Sequence, residues 1–459
     1  MKNKYFPAPL RKTAVGALAI AMLAGACSSS SHNGSSSTTS SQGSSGSESG
    51  GGSGGLPAYN VTGADRAAVV SYVGGKAQAA TGSQIEIGFV NSNTGPAAFP
   101  QFTEGVQAAV NYANAHLNGV QGHQIKLDVC SIGSEEDGQS CGTAMMNNSN
   151  IHVIIEGVLV EGGDTFFKVI NNQKVVLQLS ANSTADLFPY SGVAKPYVYD
   201  LNAGAVGGYD AMLAYIGTDV TPKPKKILFI ADSAPAAKAG IETFQGQLKQ
   251  YNIPTSAVYL APGAGAAQDA AQVQGGGGNT ADVWFMLTDI NTCLNAMVYA
   301  KQANLHPVIA GAECVGKPMQ AINGAYAPDG LISSDNGVSY WIPSENPIEE
   351  VIDQQVAQAS PNDAAPDSIA LGFEQSLNLF RAFNSASDVT SVPSIATAIS
   401  TMPSPILDNI GSSSCGNVPL FVTICGNQVG LIQAKGNNWV RLSPTSQLPA
   451  FTVWQFKTS

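Results

Sequence analysis

The sequence predicts an α/β protein built as two doubly wound parallel-sheet lobes, and three observations carry that expectation. Short apolar runs alternate with longer segments of helical period from Gln84 onward, and the alternation falls into two successive series of similar length. About 375 residues lie between Gln84 and the end, enough for two separate cores.

In the first series, residues 85–90 read as a strand and 103–117 as a helix with Val106, Ala109, Val110 and Ala113 on one face. Strand 125–130, helix 138–147, strand 153–156, helix 164–171 and strand 175–179 follow. Such alternation implies parallel strands joined by right-handed helical crossovers, with helices on both faces. After a strand at 197–201 the second series runs through helix 204–217, strand 226–231, helix 238–250 and strand 258–261. Segments 268–273, 283–287, 293–303 and 308–310 continue it; helices at 347–358 and 366–385 and strands near 418–424 and 451–456 complete both lobes. The basic stretch 222–226 reads as a solvated turn.

The N-terminus reads as a lipoprotein signal peptide over residues 1–26. Lys2, Lys4, Arg11 and Lys12 precede an apolar run that ends in small residues immediately before Cys27. The expected sequel is lipid attachment at Cys27; the plainer alternative is an ordinary secretory signal followed by a chance cysteine. Residues 27–56 are then a Ser/Gly-rich tether, with a root-mean-square reach of about 30 Å and about 90 Å when stretched. No second apolar stretch approaches the roughly 20 residues that span a bilayer. The expected location is therefore extracytoplasmic, lipid-anchored to the cell membrane, in a periplasm or on the outer face of the plasma membrane.

The net charge of −11 becomes −15 once the four positive residues of the leader are removed. This argues against nucleic acid, whose phosphates require a basic stripe. Seven cysteines leave six after Cys27, and three sequence-local couples stand out: Cys130 with Cys141, Cys293 with Cys314, and Cys415 with Cys425. Local pairing is favoured among fifteen possibilities because each couple brackets one loop or one helix-and-return unit. A zinc site is the rival, but there is no Cys-x-x-Cys, and His116, His123, His152 and His306 make no ligand pair. Neither metal nor cofactor is expected. The folded body has no nucleophile elbow, and the chain has no zinc-protease helix or phosphate loop; the glycines at 263–265 and 275–278 do not complete a phosphate-binding pattern. Paired carboxylates of the glycoside-hydrolase kind stay open as an alternative, although the same acids have a reading in a binding cleft.

Three stretches resemble a known family. Thr94-Gly95-Pro96 closes the first strand, the next helix carries the run 105–115, and 117–127 leads through a Gly-rich turn into the second strand. Asp269, the run 281–283 and Gly311-Ala-Glu-Cys314 also fit. Together these are similar to type I periplasmic binding proteins, specifically the substrate-binding lipoproteins of branched-chain amino acid type ABC transporters. The resemblance implies a three-strand hinge with crossings near Leu201, Asp335 and Ser412. It places 84–201 plus 336–412 in the N-terminal lobe and 202–335 plus 413–459 in the C-terminal lobe. Ligand would bind between the lobes, whose closure would create the surface that the permease subunits recognise.

The resemblance also implies site residues. A ligand carboxylate would meet the loops at 158–163 and 180–184, with Ser180, Ser183 and Thr184 as hydroxyl contacts, and an ammonium would meet Glu313. Phe99, Phe102, Tyr340 and Trp341 are candidate walls. Two departures bear on the ligand: Glu161 stands where a hydroxyl is expected and Asp289 where an aromatic is expected. Added carboxylates in a partly desolvated cleft repel an anion, so a cationic or neutral polar ligand of amine, amide or amino-acid type is expected. Plainer readings exist for each residue: Asp289 as a helix N-cap, Glu161 and Glu313 as solvated acids, the hydroxyls as turn caps, the aromatics as core. The expected function is a monomeric solute-binding lipoprotein serving an ABC importer, not an enzyme. The alternative is a ligand sensor coupled to a signalling partner.

Overall fold

A helix that the sequence reading did not include opens the described chain. α1 (Gly63–Val73) begins at a capping box: the Thr62 hydroxyl accepts from the Asp65 N–H, and the Asp65 carboxylate accepts from the Thr62 N–H at 2.7 Å. Only Val69 and Val73 are buried, so its apolar period is too sparse to find in sequence. The computed structural model describes residues 60–459 except 95–97, 182–183, 234, 262, 312–313, 326, 336–345, 360–365, 410–412, 417–420, 427, 437, 443–447 and 450–459.

The first βα series follows as β1 (Gly82–Asn91), α2 (Pro100–His116), β2 (His123–Ser131), α3 (Glu135–Asn147), β3 (Ile151–Glu156), α4 (Gly163–Ile170), β4 (Val175–Gln178), α5 (Thr184–Leu187) and β5 (Val198–Asp200). The strands form one parallel sheet in the order β2-β1-β3-β4-β5. The second series is α6 (Gly204–Thr218), β6 (Ile227–Asp232), α7 (Pro235–Leu248), β7 (Thr255–Leu260), α8 (Ala266–Gly275), β8 (Val283–Leu287), α9 (Ile290–Gln302), β9 (Val308–Ala310), α10 (Lys317–Asn323) and β10 (Ile332–Asp335). Its parallel strands lie in the order β7-β6-β8-β9-β10, the first arrangement repeated.

Three helices then return to the first sheet. α11 (Pro347–Ala359) packs on α1, α2 and α12 (Pro366–Ser385); α12 lies along α2; and α13 (Val392–Ser400) touches α12, β3 and β4. The chain ends in the second sheet with β11 (Gln428–Lys435), antiparallel to β10, then β12 (Asn438–Arg441) and β13 (Leu448–Pro449), both antiparallel to β11.

Burial explains why these strands read as unbroken apolar runs. In β6, Leu228 and Ile230 enter a core on one face of the sheet, whereas Ile227, Phe229 and Ala231 enter the core on the other. Trp284 and Met286 of β8 join the first core, and Val283 and Phe285 join the second. A parallel sheet covered on both faces loses the polar alternation of a one-sided strand. One expectation needs correction. Residues 421–424 are not a strand; a single bridge joins Ile424 to Asp200, and the described strands lie further on, in β11 and β12. The backbone of 423–426 is bonded across to Asp200 and Asn202 instead of along a sheet edge. Positions 418–420 and 451–456 lie outside the described residues.

Helices α2 and α12 approach through glycine. A Cβ at Gly105 would collide with the Ile369 carbonyl oxygen, and one at Gly372 would sit 2.8 Å from the Phe102 carbonyl oxygen. Gly246 in α7 has nothing within 4 Å of such a Cβ. We therefore expect Gly105→Ala to destabilise the protein by about 1–3 kcal/mol through overpacking. Gly246→Ala should stabilise it by about 0.5–1 kcal/mol, because an exposed helix loses an entropic cost. Urea unfolding of the two variants should therefore move the midpoint in opposite directions.

Candidate functional site

In both sheets the strand order reverses direction between two adjacent strands. This is where an open α/β sheet forms a ligand crevice. In the first sheet the reversal lies between β1 and β3, and in the second between β6 and β8.

At the first reversal Asn91, fully buried at the end of β1, ties the two loops together. Its Nδ2 donates to the Phe99 carbonyl at 2.8 Å and to Asn93 Oδ1 at 2.7 Å, and its Oδ1 accepts from the Val158 N–H at 2.9 Å. The Ser92 N–H donates to the Val158 carbonyl at 3.0 Å, and the Val160 N–H to Ser92 Oγ at 3.2 Å. Gly157 is required here, since a Cβ would run into the Asn91 side chain. The sequence reading missed Asn91. Its signal was a lone polar residue closing an apolar strand.

Behind the loop after β4, Glu156 and Gln178 sit side by side in register at the ends of β3 and β4. Gln178 Nε2 donates to Glu156 Oε2 at 3.0 Å and to the Asp186 carbonyl at 3.2 Å. Burial pushes the Glu156 carboxyl well above the usual range, and the neighbouring Asp186 and Asp200 add to the shift. Gln178 thus joins Glu156 at the end of β3 to α5 over the end of the sheet.

At the second reversal Asp289 closes the β8–α9 loop as the N-cap of α9. Its Oδ1 accepts from the N–H groups of Asn291 at 2.8 Å and Thr292 at 3.2 Å, and its Oδ2 accepts from Thr292 Oγ1 at 2.6 Å. Asp232, 9% exposed at the end of β6, is the acid the sequence reading missed. Burial lifts its carboxyl to about 7, and the charges of Asp289 and Asp269 push the same way, against a hydrogen bond from the Asp289 backbone. The second reversal therefore carries concentrated negative potential.

The residues expected from sequence distribute as follows. Glu161 is exposed in the loop after β3, Ser180 is half-buried after β4, and Thr184 opens α5. Phe99 is half-buried where the chain enters α2, its ring centroid 6.5 Å from that of Phe102. Phe102 itself is 6% exposed and belongs to the core. Asp289 stands at the second reversal but spends its carboxylate on the helix cap. Glu313, Ser183, Tyr340, Trp341 and Cys27 lie outside the described residues.

The six remaining cysteines form the three sequence-local disulfides. Cys130–Cys141 joins the end of β2 to α3, with Cα atoms 5.7 Å apart. Cys293–Cys314 joins the first turn of α9 to the segment after β9, with Cα atoms 5.6 Å apart, and Cys415–Cys425 closes a loop before β11. Among the described residues no cluster of three His, Cys, Asp or Glu side chains could hold a metal ion, and no helix is long and apolar enough to cross a membrane.

The sequence profile described as periplasmic binding protein matches residues 84–414. The chain belongs to the periplasmic binding protein family. It is thus one of a family of solute-binding proteins that are not enzymes. By sequence alone no curated protein matches it. Solved structures share its fold. A possible leucine/isoleucine/valine-binding protein from Rhodopirellula baltica is 14% identical, with 81% of this chain and 100% of that one covered and a TM-score of 0.62. The branched-chain amino acid transporter substrate-binding protein of Streptococcus pneumoniae, solved with isoleucine, is 14% identical over 78% of this chain and 100% of its own, with a TM-score of 0.58. A fatty acid ABC transporter substrate-binding protein from Thermomonospora curvata is 13% identical over 84% and 98%, with a TM-score of 0.61.

The acids at the rims of this periplasmic binding protein have a consequence for stability. An unfolded aspartate titrates near 3.8, and folded Asp232 near 7. Between those values the folded state holds the extra proton, so the contribution is complete below about pH 4 and is lost as pH rises through about 7. The thermal midpoint should accordingly fall between pH 5 and pH 8. Asp232→Asn should reduce that fall, and an unchanged pH dependence would contradict the assignment.

Proposed function

We propose that this periplasmic binding protein captures a small polar solute of amino-acid, amide or amine type between its two lobes and delivers it to the permease subunits of an ABC importer. The observation that carries the reading is the repeated strand order. It gives each sheet a strand reversal where a crevice can form, the first beside the loop that carries Ser180, the second beside Asp232 and Asp289. The first rim suits a carboxylate or carbonyl oxygen, and the acidic rim suits an ammonium or amide N–H.

Glu313 is assigned to the acidic side with Asp289, and Ser180, Ser183 and Thr184 to the first rim. Glu161 adds negative potential at the mouth. Phe99, Tyr340 and Trp341 are assigned as walls; Phe102 supports Phe99 from the core. The lobes act outside the cytoplasm on a lipid anchored at Cys27, as a monomer, with residues 27–56 as tether. Serving a permease from such a tether requires reach but no contact between the folded body and lipid.

A thermal-shift screen of the full-length protein against amino acids, amides, polyamines, urea and short peptides tests the ligand class. A ligand at one hundred times its dissociation constant stabilises the folded state by about 2.7 kcal/mol. We expect a cationic or neutral polar solute to raise the midpoint and Glu313→Gln to abolish the shift. If leucine-like amino acids shift it and amines do not, the acidic rim does not select the ligand; a screen with no hit favours a sensor that reports to a protein partner. For the anchor, Cys27→Ser should move the protein from the detergent-rich to the aqueous phase on partitioning.

A further inference from the structure

Asp200 occupies the place where the first lobe passes into the second, and it is fully buried. One carboxylate oxygen accepts from the Ala181 N–H at 2.7 Å, and the other accepts from the Asn202 N–H at 3.1 Å. Ala181 directly follows Ser180 in the loop after β4. The Asp200 backbone meets a different part of the chain: its N–H donates to the Thr423 carbonyl at 2.9 Å, and its carbonyl accepts from the Cys425 N–H at 2.8 Å. Residues 423–426 lead directly into β11 of the second lobe. A single residue thus bonds the loop after β4, the outgoing crossing and the returning crossing.

Its surroundings leave little room for another arrangement. A Cβ at Gly204 would lie 3.1 Å from Asp200 Oδ2, 3.0 Å from the Ala181 carbonyl and 3.2 Å from Ile424 Cδ1. Ala181, Leu187, Val206, Phe421 and Ile424 pack into one small apolar cluster beside it. That cluster draws on the β4 loop, which the carboxylate holds, on the returning crossing, which the Asp200 backbone holds, and on α5 and α6.

We propose that Asp200 is a positioning residue that couples the loop after β4 to the interlobe crossings, so that ordering of this loop and setting of the hinge are one event. The role of that loop in ligand contact rests on the function proposed above. A carboxylate suits the task because its two oxygens are acceptors only and serve N–H donors from two segments at once. An asparagine would turn an NH2 toward one of those donors and lose that bond. The titratable groups facing Asp200 are acidic: Asp186 on α5, Glu156 on β3, and Asp408 on the far side of Asn202. Burial, with the Asp186 charge adding to it, lifts the Asp200 carboxyl to about 7 against the two backbone N–H bonds. The closed arrangement should therefore be firmest at low pH and loosen as pH rises through about 7, because ionising the carboxyl costs more while it is buried than once the segment has opened to water.

Amide hydrogen exchange of the full-length protein without ligand, corrected for chemical exchange rates, tests this at pH 6 and pH 8.5. In the wild type, residues 179–181 and 421–426 should open together, and faster at pH 8.5 than at pH 6. In Asp200→Asn, which cannot ionise, both segments should lose that pH dependence together. Independent exchange of the two segments, or a variant that keeps the wild-type pH profile, overturns the proposal. If the variant does not fold, the wild-type profile alone decides, because uncorrelated opening of the segments is sufficient to reject it. The measurement needs no solute, so failure to find a ligand would reject the proposed function and leave this result standing.

Discussion

Two sheets can share one chain only if the backbone that passes between them finds hydrogen-bond partners outside either sheet. Buried N–H and C=O groups left unpaired would cost more than the crossing could recover. Here the partners come from the crossings themselves. Asn202 accepts from the Gly204 N–H at 2.6 Å and donates to Asp408, while its backbone carbonyl accepts from the Gly426 N–H at 3.0 Å. Asn409 donates to the Leu201 carbonyl at 2.6 Å, and Gln375 reaches Asp408 from α12 at 3.1 Å. This polar knot satisfies the backbone where the chain leaves β5 and where it returns ahead of β11.

The same region shows how the protein handles an excess of acids. Glu156, Asp200, Asp232 and Glu374 are all buried, and burial raises each carboxyl above its ordinary range with further acids nearby adding to the effect. Lys126 and Glu86 pair 3.0 Å apart at the surface, and a pair so placed contributes little. Burial thus favours the neutral form of each of the buried carboxyls, and Asp200 and Asp232 have backbone donors that act in the opposite direction. Such groups keep an acidic rim available to a ligand without the repulsion of full ionisation.

The covalent cross-links follow a related division of labour. Two of the three disulfides join segments within one lobe, and the third closes a short loop on the returning crossing. Cys130 lies near the carboxyl end of β2 and Cys293 in the first turn of α9, on the sides of the sheets where the crevice loops emerge. None of the three joins a strand or helix of the first sheet to one of the second.

Residues 227–231 and 283–287 announced buried parallel strands because a sheet covered on both faces writes its burial directly into unbroken apolar runs. The alternation with helices gave the fold class, and local spacing gave the cysteine pairs, since both depend on neighbours close in sequence. Asn91, Asp200 and Asp232 escaped notice because a single polar residue ending a strand looks alike whether it caps a turn or joins segments far apart in sequence. Asp289 was legible as an acid at the right loop, but only the folded chain showed its oxygens already engaged by the α9 N–H groups. The helix α1 depends on packing against α11 and α12, and β11 on pairing with β10, segments far away in sequence that their own weak periodicity does not record. Sequence by itself determined the two-lobed α/β class, because burial period is a local property. Tertiary structure decided which carboxylates cap a helix and which bond to distant backbone, because that depends on donors supplied from other parts of the chain.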